Sequence, residues 1–215
     1  MDAPEPKPRL RGVLHQWGFF ASLMAGAVLV ALAPTGRAAA VGGLYAAALA
    51  GMFGASALYH RVAWRPSLRP WFRRLDHSMI FVLIAGTFTP VIVLGLEGVL
   101  PVVVLAIVWA GALAGVMLKL VWLGAPRWLV AAVYVVLGWV GLILLPEVVR
   151  SAGVAAATLF VAGGLLYTAG ALVYARRRPD PRPAVFGFHE VFHVFVIAAA
   201  VAHFVAIAAF VLPQG

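Results

Sequence analysis

Long apolar runs, separated by short charged clusters, decide what this chain can fold into. A helix needs roughly 20 apolar residues to cross the hydrocarbon core of a bilayer. Runs of about that length recur along the sequence at Leu14–Ala33, Ala39–His60, Leu75–Leu96, Val99–Val121, Trp128–Leu145, Ala152–Ala175 and Phe186–Leu212. Of 215 residues, 64% are hydrophobic and 11% are charged, which is too little polar surface to cover a soluble domain of this size. The sequence therefore predicts an all-α membrane protein: one seven-transmembrane helix bundle over residues 13–215, preceded by a flexible basic tail over residues 1–12. Pro4, Pro6 and Pro8 favour an extended tail. Ala31-Leu32-Ala33 resembles a signal-peptide cleavage site, but the apolar run before it exceeds a signal core and reads as a retained helix.

Counting Lys and Arg on alternate sides sets the orientation. All but two of the 16 basic residues fall on one side; only Arg37 and Arg150 fall on the other. The basic side is the cytoplasmic one, so the N-terminus is expected inside and the C-terminus outside. Trp17, Trp64, Trp71, Trp122 and Trp128 gather near that side, as an interfacial belt does. The net charge of +9 belongs to these short loops. No aromatic-basic module for nucleic acid accompanies it. Cysteine is absent, so any metal must be held by His, Asp, Glu or water.

Packing signals are present too. Gly43, Ala47, Gly51 and Ala55 recur every fourth residue in the second run, and Gly111 and Gly115 form a GxxxG in the fourth. Small residues allow helix backbones to approach closely in lipid, so the second helix is expected to be central.

Ionisable side chains inside membrane spans are costly and mark function by default. Here they are His60, Asp76, His77, His189, Glu190, His193 and His203, and all but His203 fall at the cytoplasmic ends of the second, third and seventh spans. His189 and His193 are spaced i, i+4, which projects both rings from one helix face. The string His189-Glu190-Val191-Phe192-His193 matches H-E-x-x-H, the zincin pattern in which Glu190 would be the general base. His60 and Asp76 offer a different completion: three protein ligands and a water is the usual layout of a catalytic zinc site. Ser56, one turn before His60, either bonds back to its own helix or faces the site. His203 lies about 15 Å deeper than His193 and reads as a buried, hydrogen-bonded histidine. His77 reads as interfacial and His15 as a membrane-surface residue.

The segments Ser56-Ala57-Leu58-Tyr59-His60-Arg61, Arg74-Leu75-Asp76-His77 through Gly86-Thr87-Phe88-Thr89-Pro90, and Phe186-Gly187-Phe188-His189-Glu190-Val191-Phe192-His193 resemble the haemolysin III proteins. These are bacterial members of the progestin and adiponectin receptor (PAQR) family. The resemblance covers nearly the whole chain and implies a multi-pass protein of the bacterial inner membrane. It also implies zinc held by His60, His189 and His193, with Asp76 against a water on the zinc and Ser56 behind it. The wider superfamily includes alkaline ceramidases, which hydrolyse a lipid amide with a similar Ser, Asp and His set. Eukaryotic receptor relatives often carry an amide where Glu190 stands, which weakens the protease-like role for that residue.

The leading expectation is a membrane-embedded, zinc-dependent hydrolase of a lipid amide or ester bond, with Asp76 and Ser56 as catalytic residues and a membrane lipid as substrate or ligand. The alternatives are a receptor-like or structural zinc protein and a membrane-disrupting, haemolytic one. An intramembrane protease follows only from H-E-x-x-H.

Overall fold

The computed structural model describes residues 8–215. Among them, regular structure is helical apart from an isolated bridge between Arg182 and Phe186. The helices are α1 (Val13–Ala31), α2 (Gly36–Arg61), α3 (Arg69–Gly95), α4 (Val99–Val121), α5 (Arg127–Trp139), α6 (Leu145–Arg176) and α7 (Phe188–Ala206). α7 continues through a π-turn at Ile207–Val211 and a 3-10 turn at Leu212–Gln214. Six stretches are long and apolar enough to cross a bilayer, so the chain is a multi-pass membrane protein. The expected fifth and sixth spans merge into one of these, the 50-residue stretch Arg127–Arg176.

That merging has a local cause. Residues 146–151 fall between the fifth and sixth apolar runs, yet Pro146 suits the first turn of a helix and the chain winds on. Helical geometry breaks only at Gly153, whose φ of 85° is the left-handed region open to glycine. The stretch nevertheless folds back on itself. Trp139 Nε1 donates to Thr168 Oγ1 at 2.9 Å, and the Arg127 guanidinium lies 5.9 Å from the Tyr174 ring. α5 and the later part of α6 therefore run antiparallel.

Helix ends are marked by ordinary chemistry. Thr35 caps α2, its hydroxyl accepting from Ala38 N at 3.1 Å. Pro70 occupies the first turn of α3, and Arg177, in the left-handed conformation, ends α6. Contacts at the two ends of the bundle fix how the helices alternate. At one end Arg61 Nε donates to Gln16 Oε1 at 3.1 Å, and Arg74 Nε to the Leu120 carbonyl at 3.1 Å. At the other, Arg37 bonds the Val93 carbonyl and Gln214 bonds that of Ser151 at 3.2 Å. The start of α1, the end of α2, the start of α3 and the end of α4 thus share one end.

α2 packs between α1 and α3, as its small residues predict. A Cβ on Gly54 would touch the Phe19 ring, and one on Gly51 would strike Met79. The GxxxG of α4 works differently: Gly111 receives Leu137 from α5 and Gly115 receives the Phe81 ring from α3. One buried cluster joins Tyr45, Leu49 and Phe53 of α2 to Leu83 and Val196. A second joins Phe81, Val108, Leu137 and Leu144. Met24, Val99 and Val121 point outward, at 74%, 79% and 81% exposure, an arrangement that suits lipid rather than water.

Candidate metal centre

Three helix ends meet where the sequence places its ionisable residues. The last turns of α2 carry Ser56 and His60, the second turn of α3 carries Asp76, and the first turns of α7 carry His189 and His193. His60 Nε2 lies 3.1 Å from His189 Nε2. One ligand nitrogen from each of His60, His189 and His193 lies within 4.8 Å of the others. Asp76 Oδ2 stands 3.7 Å from His60 Nε2. His60, His193, Asp76 and Ser56 are buried, and His189 is half-buried.

This donor set fits a divalent ion. Tetrahedral zinc, with nitrogen ligands at about 2.0–2.1 Å, separates neighbouring nitrogens by about 3.4 Å, inside the range seen here. His193 also keeps Nδ1 buried without a hydrogen-bond partner, a costly condition for a group with no task. The i, i+4 spacing does what the sequence predicts, bringing the His189 and His193 ring centroids to 4.6 Å.

His15 corrects the sequence reading. It was expected at the membrane surface, yet it is buried at 2% exposure. Its ring stacks on His193 with centroids 3.6 Å apart and planes 14° from parallel. Its Nδ1 lies 2.8 Å from the Ser56 hydroxyl, so Ser56 is turned toward the site. The missed signal was depth. His15 follows the basic residues Arg9 and Arg11 by one turn, and so belongs at the end of the bundle that holds the other histidines.

Glu190 is occupied elsewhere. Its Oε2 accepts from Gly187 N at 2.8 Å, capping α7, and its Oε1 pairs with Arg11 Nε at 2.7 Å. Fully buried and doubly engaged, it is poorly placed to act as the base of an H-E-x-x-H protease. Arg11 belongs to a segment tied to the connection between α6 and α7: Arg9 N and Leu10 N donate to the carbonyls of Ala184 and Val185, each at 3.0 Å. Gly12 then turns with a φ of 79°, and a Cβ there would meet His60 Cβ. Of the tail expected over residues 1–12, residues 1–7 lie outside the described residues.

His77 is half-buried; its carbonyl accepts from the Tyr134 hydroxyl at 2.8 Å, and its ring is not one of the three grouped imidazoles. From the histidines a cavity of about 220 Å3 runs between α3, α5, α6 and α7. Its wall begins at Asp76 and His193, passes Leu83, Phe88 and Val196, and reaches Leu145 at the far end.

The sequence pattern of the family described as "Haemolysin-III related" matches residues 5–204. A "Hemolysin-3 homolog" of Bacillus subtilis is 32% identical over 130 residues, covering 60% of this chain and 58% of that protein. A "Hemolysin-3" of Bacillus cereus is 29% identical over 160 residues, covering 74% of this chain and 69% of that one. The chain belongs to the haemolysin III-related family.

Proposed function

We propose that this member of the haemolysin III-related family is a seven-span protein of the bacterial inner membrane that binds zinc and hydrolyses an amide or ester bond of a membrane lipid. The fold-back within Arg127–Arg176 supports the count of seven, because its two antiparallel arms serve as two spans. The Lys and Arg bias supports a cytoplasmic N-terminus and an external C-terminus. His60, His189 and His193 hold the ion in this reading.

Zinc bound there supplies Lewis-acid polarisation of a carbonyl and makes water a nucleophile near neutral pH. The chain supplies the rest. Asp76, beside His60, orients the attacking water and takes its proton. With His15 Nδ1 carrying the proton and donating to Ser56 Oγ, the single Ser56 O–H is left to donate to the carbonyl oxygen as negative charge develops. The apolar cavity receives an acyl chain, so the scissile linkage comes to rest at the polar end of a chain already held in the bilayer.

The observation that carries this reading is the continuity of that cavity with Asp76, His189 and His193. The test is release of free fatty acid from lipid extracts by the purified protein. Asp76→Asn should abolish release while leaving metal content near normal. Wild-type release carried on by Asp76→Asn would sink the catalytic assignment.

A second reading rests on a different observation. The α2 and α7 backbones stay apart and the helices meet through side chains such as Tyr45 and Val196, so a metal shared by His60, His189 and His193 would tie their ends together and its role would be structural. This reading predicts loss of thermal stability on metal removal and no release from any lipid. The relative's name, "Hemolysin-3", also makes lysis of erythrocytes by cells overproducing this chain worth measuring.

A further inference from the structure

The deep end of the cavity carries polar chemistry that the metal centre does not use. His203 lies ten residues beyond His193 on α7, about 15 Å further into the bundle. An ionisable ring at that depth is costly and calls for a task. Its Nε2 stands 3.1 Å from the Phe160 carbonyl. A carbonyl can only accept, so Nε2 carries the proton, and in the neutral ring Nδ1 is then an acceptor. The backbone is shaped around the ring: a Cβ on Gly163 would collide with His203 Cδ2 and Nε2. Tyr167 packs edge-on, with centroids 5.5 Å apart, and both side chains line the cavity. Beside them, Tyr45 is 1% exposed and its hydroxyl has no hydrogen-bond partner; Tyr167 packs against the buried cluster that contains Tyr45.

We infer that His203 and Tyr167 form a second binding subsite, which recognises a hydroxyl group carried partway along the aliphatic chain of a lipid. A hydroxyl is both donor and acceptor. It can donate to His203 Nδ1 and accept from a tyrosine hydroxyl, in surroundings where water is scarce and an unmet hydrogen bond is expensive. A plain methylene chain would satisfy neither group. The subsite rests on the reading that the cavity holds a lipid chain with its polar end at the histidines, and it adds a reason to prefer one chain over another.

The test uses the intact zinc-loaded protein in detergent and saturated fatty acids of one length. These are either unsubstituted or carry one hydroxyl at successive positions, and affinity is measured by titration. One mid-chain position should bind about fivefold to tenfold more tightly than the unsubstituted acid, the size of one well-placed hydrogen bond. His203→Phe should erase that gain while leaving the unsubstituted acid within about twofold of its original affinity. Tyr167→Phe, a milder change, should reduce the gain in part. Equal affinity at every hydroxyl position in the unaltered protein overturns the subsite, whether or not the variants fold. A gain that survives His203→Phe overturns it as well. Failure of the unsubstituted acid to bind at all would instead remove the chain-holding cavity on which the subsite depends.

Discussion

His15 lies flat on His193, their ring centroids 3.6 Å apart, while its Nδ1 meets the Ser56 hydroxyl at 2.8 Å. One side chain of α1 thus braces an imidazole of α7 and a hydroxyl of α2. Groups that support metal ligands commonly change metal affinity by about 10- to 100-fold when removed. His15→Ala should weaken zinc binding by about tenfold in a competition assay against a chelating dye. His15→Phe keeps a ring against His193 and should lose less affinity, though it frees the Ser56 hydroxyl. Equal affinity in all three proteins would show that the stack plays no part in holding His193.

Zinc content separates the three grouped histidines from the deeper one. The purified protein should hold about one zinc per chain. His60→Ala, His189→Ala and His193→Ala should each lower occupancy, and His203→Ala should not. Because imidazole must be neutral to bind metal, protons compete with the ion, so zinc affinity should fall as the solution is acidified. Full occupancy in all three alanine variants would remove the site.

Glu190 and Asp76 are both carboxylates beside these histidines, with opposite expected behaviour. Glu190→Gln keeps an acceptor for Gly187 N and should preserve most lipid hydrolysis, whereas Asp76→Asn should abolish it. Arg11→Ala leaves the buried Glu190 carboxylate without its cation and should destabilise the protein by about 3–5 kcal/mol, read from thermal unfolding in detergent. The reverse ranking of Glu190→Gln and Asp76→Asn would favour the H-E-x-x-H protease.

Orientation can be tested separately. Reporter fusions after Ala33, Leu96 and Leu145, and at the C-terminus, should report outside. Fusions near Arg69, Gly124 and Asp180 should report inside. A cytoplasmic C-terminus would mean that Arg127–Arg176 serves as one span rather than two.

The sequence revealed the histidine group because two independent patterns agreed. Ionisable residues are rare in apolar runs, and the Lys and Arg bias assigned His60, Asp76, His189 and His193 to one depth without reference to their chemistry. His15 escaped because it precedes most of its apolar run and so looked like part of the surface. Lys119 escaped for the opposite reason. It was counted with the loop charges, yet it is 1% exposed, since a long aliphatic stem can be covered near a helix end. The helical winding of residues 146–151 was illegible because Glu147 and Arg150 suggest a loop, while nothing local forbids a helix before Gly153. The roles of Gly111 and Gly115 were half legible: spacing marks a close approach, but cannot say whether a backbone or a ring fills the space.

X-ray absorption of the zinc-loaded protein tests most directly the claim that α2 and α7 share one ion through three imidazoles. Three histidine nitrogens should appear at about 2.0–2.1 Å, with one further light ligand. His189→Ala should reduce the imidazole signal to two. A spectrum dominated by oxygen ligands with at most one imidazole, unchanged in His189→Ala, would place the zinc elsewhere and contradict the proposed centre.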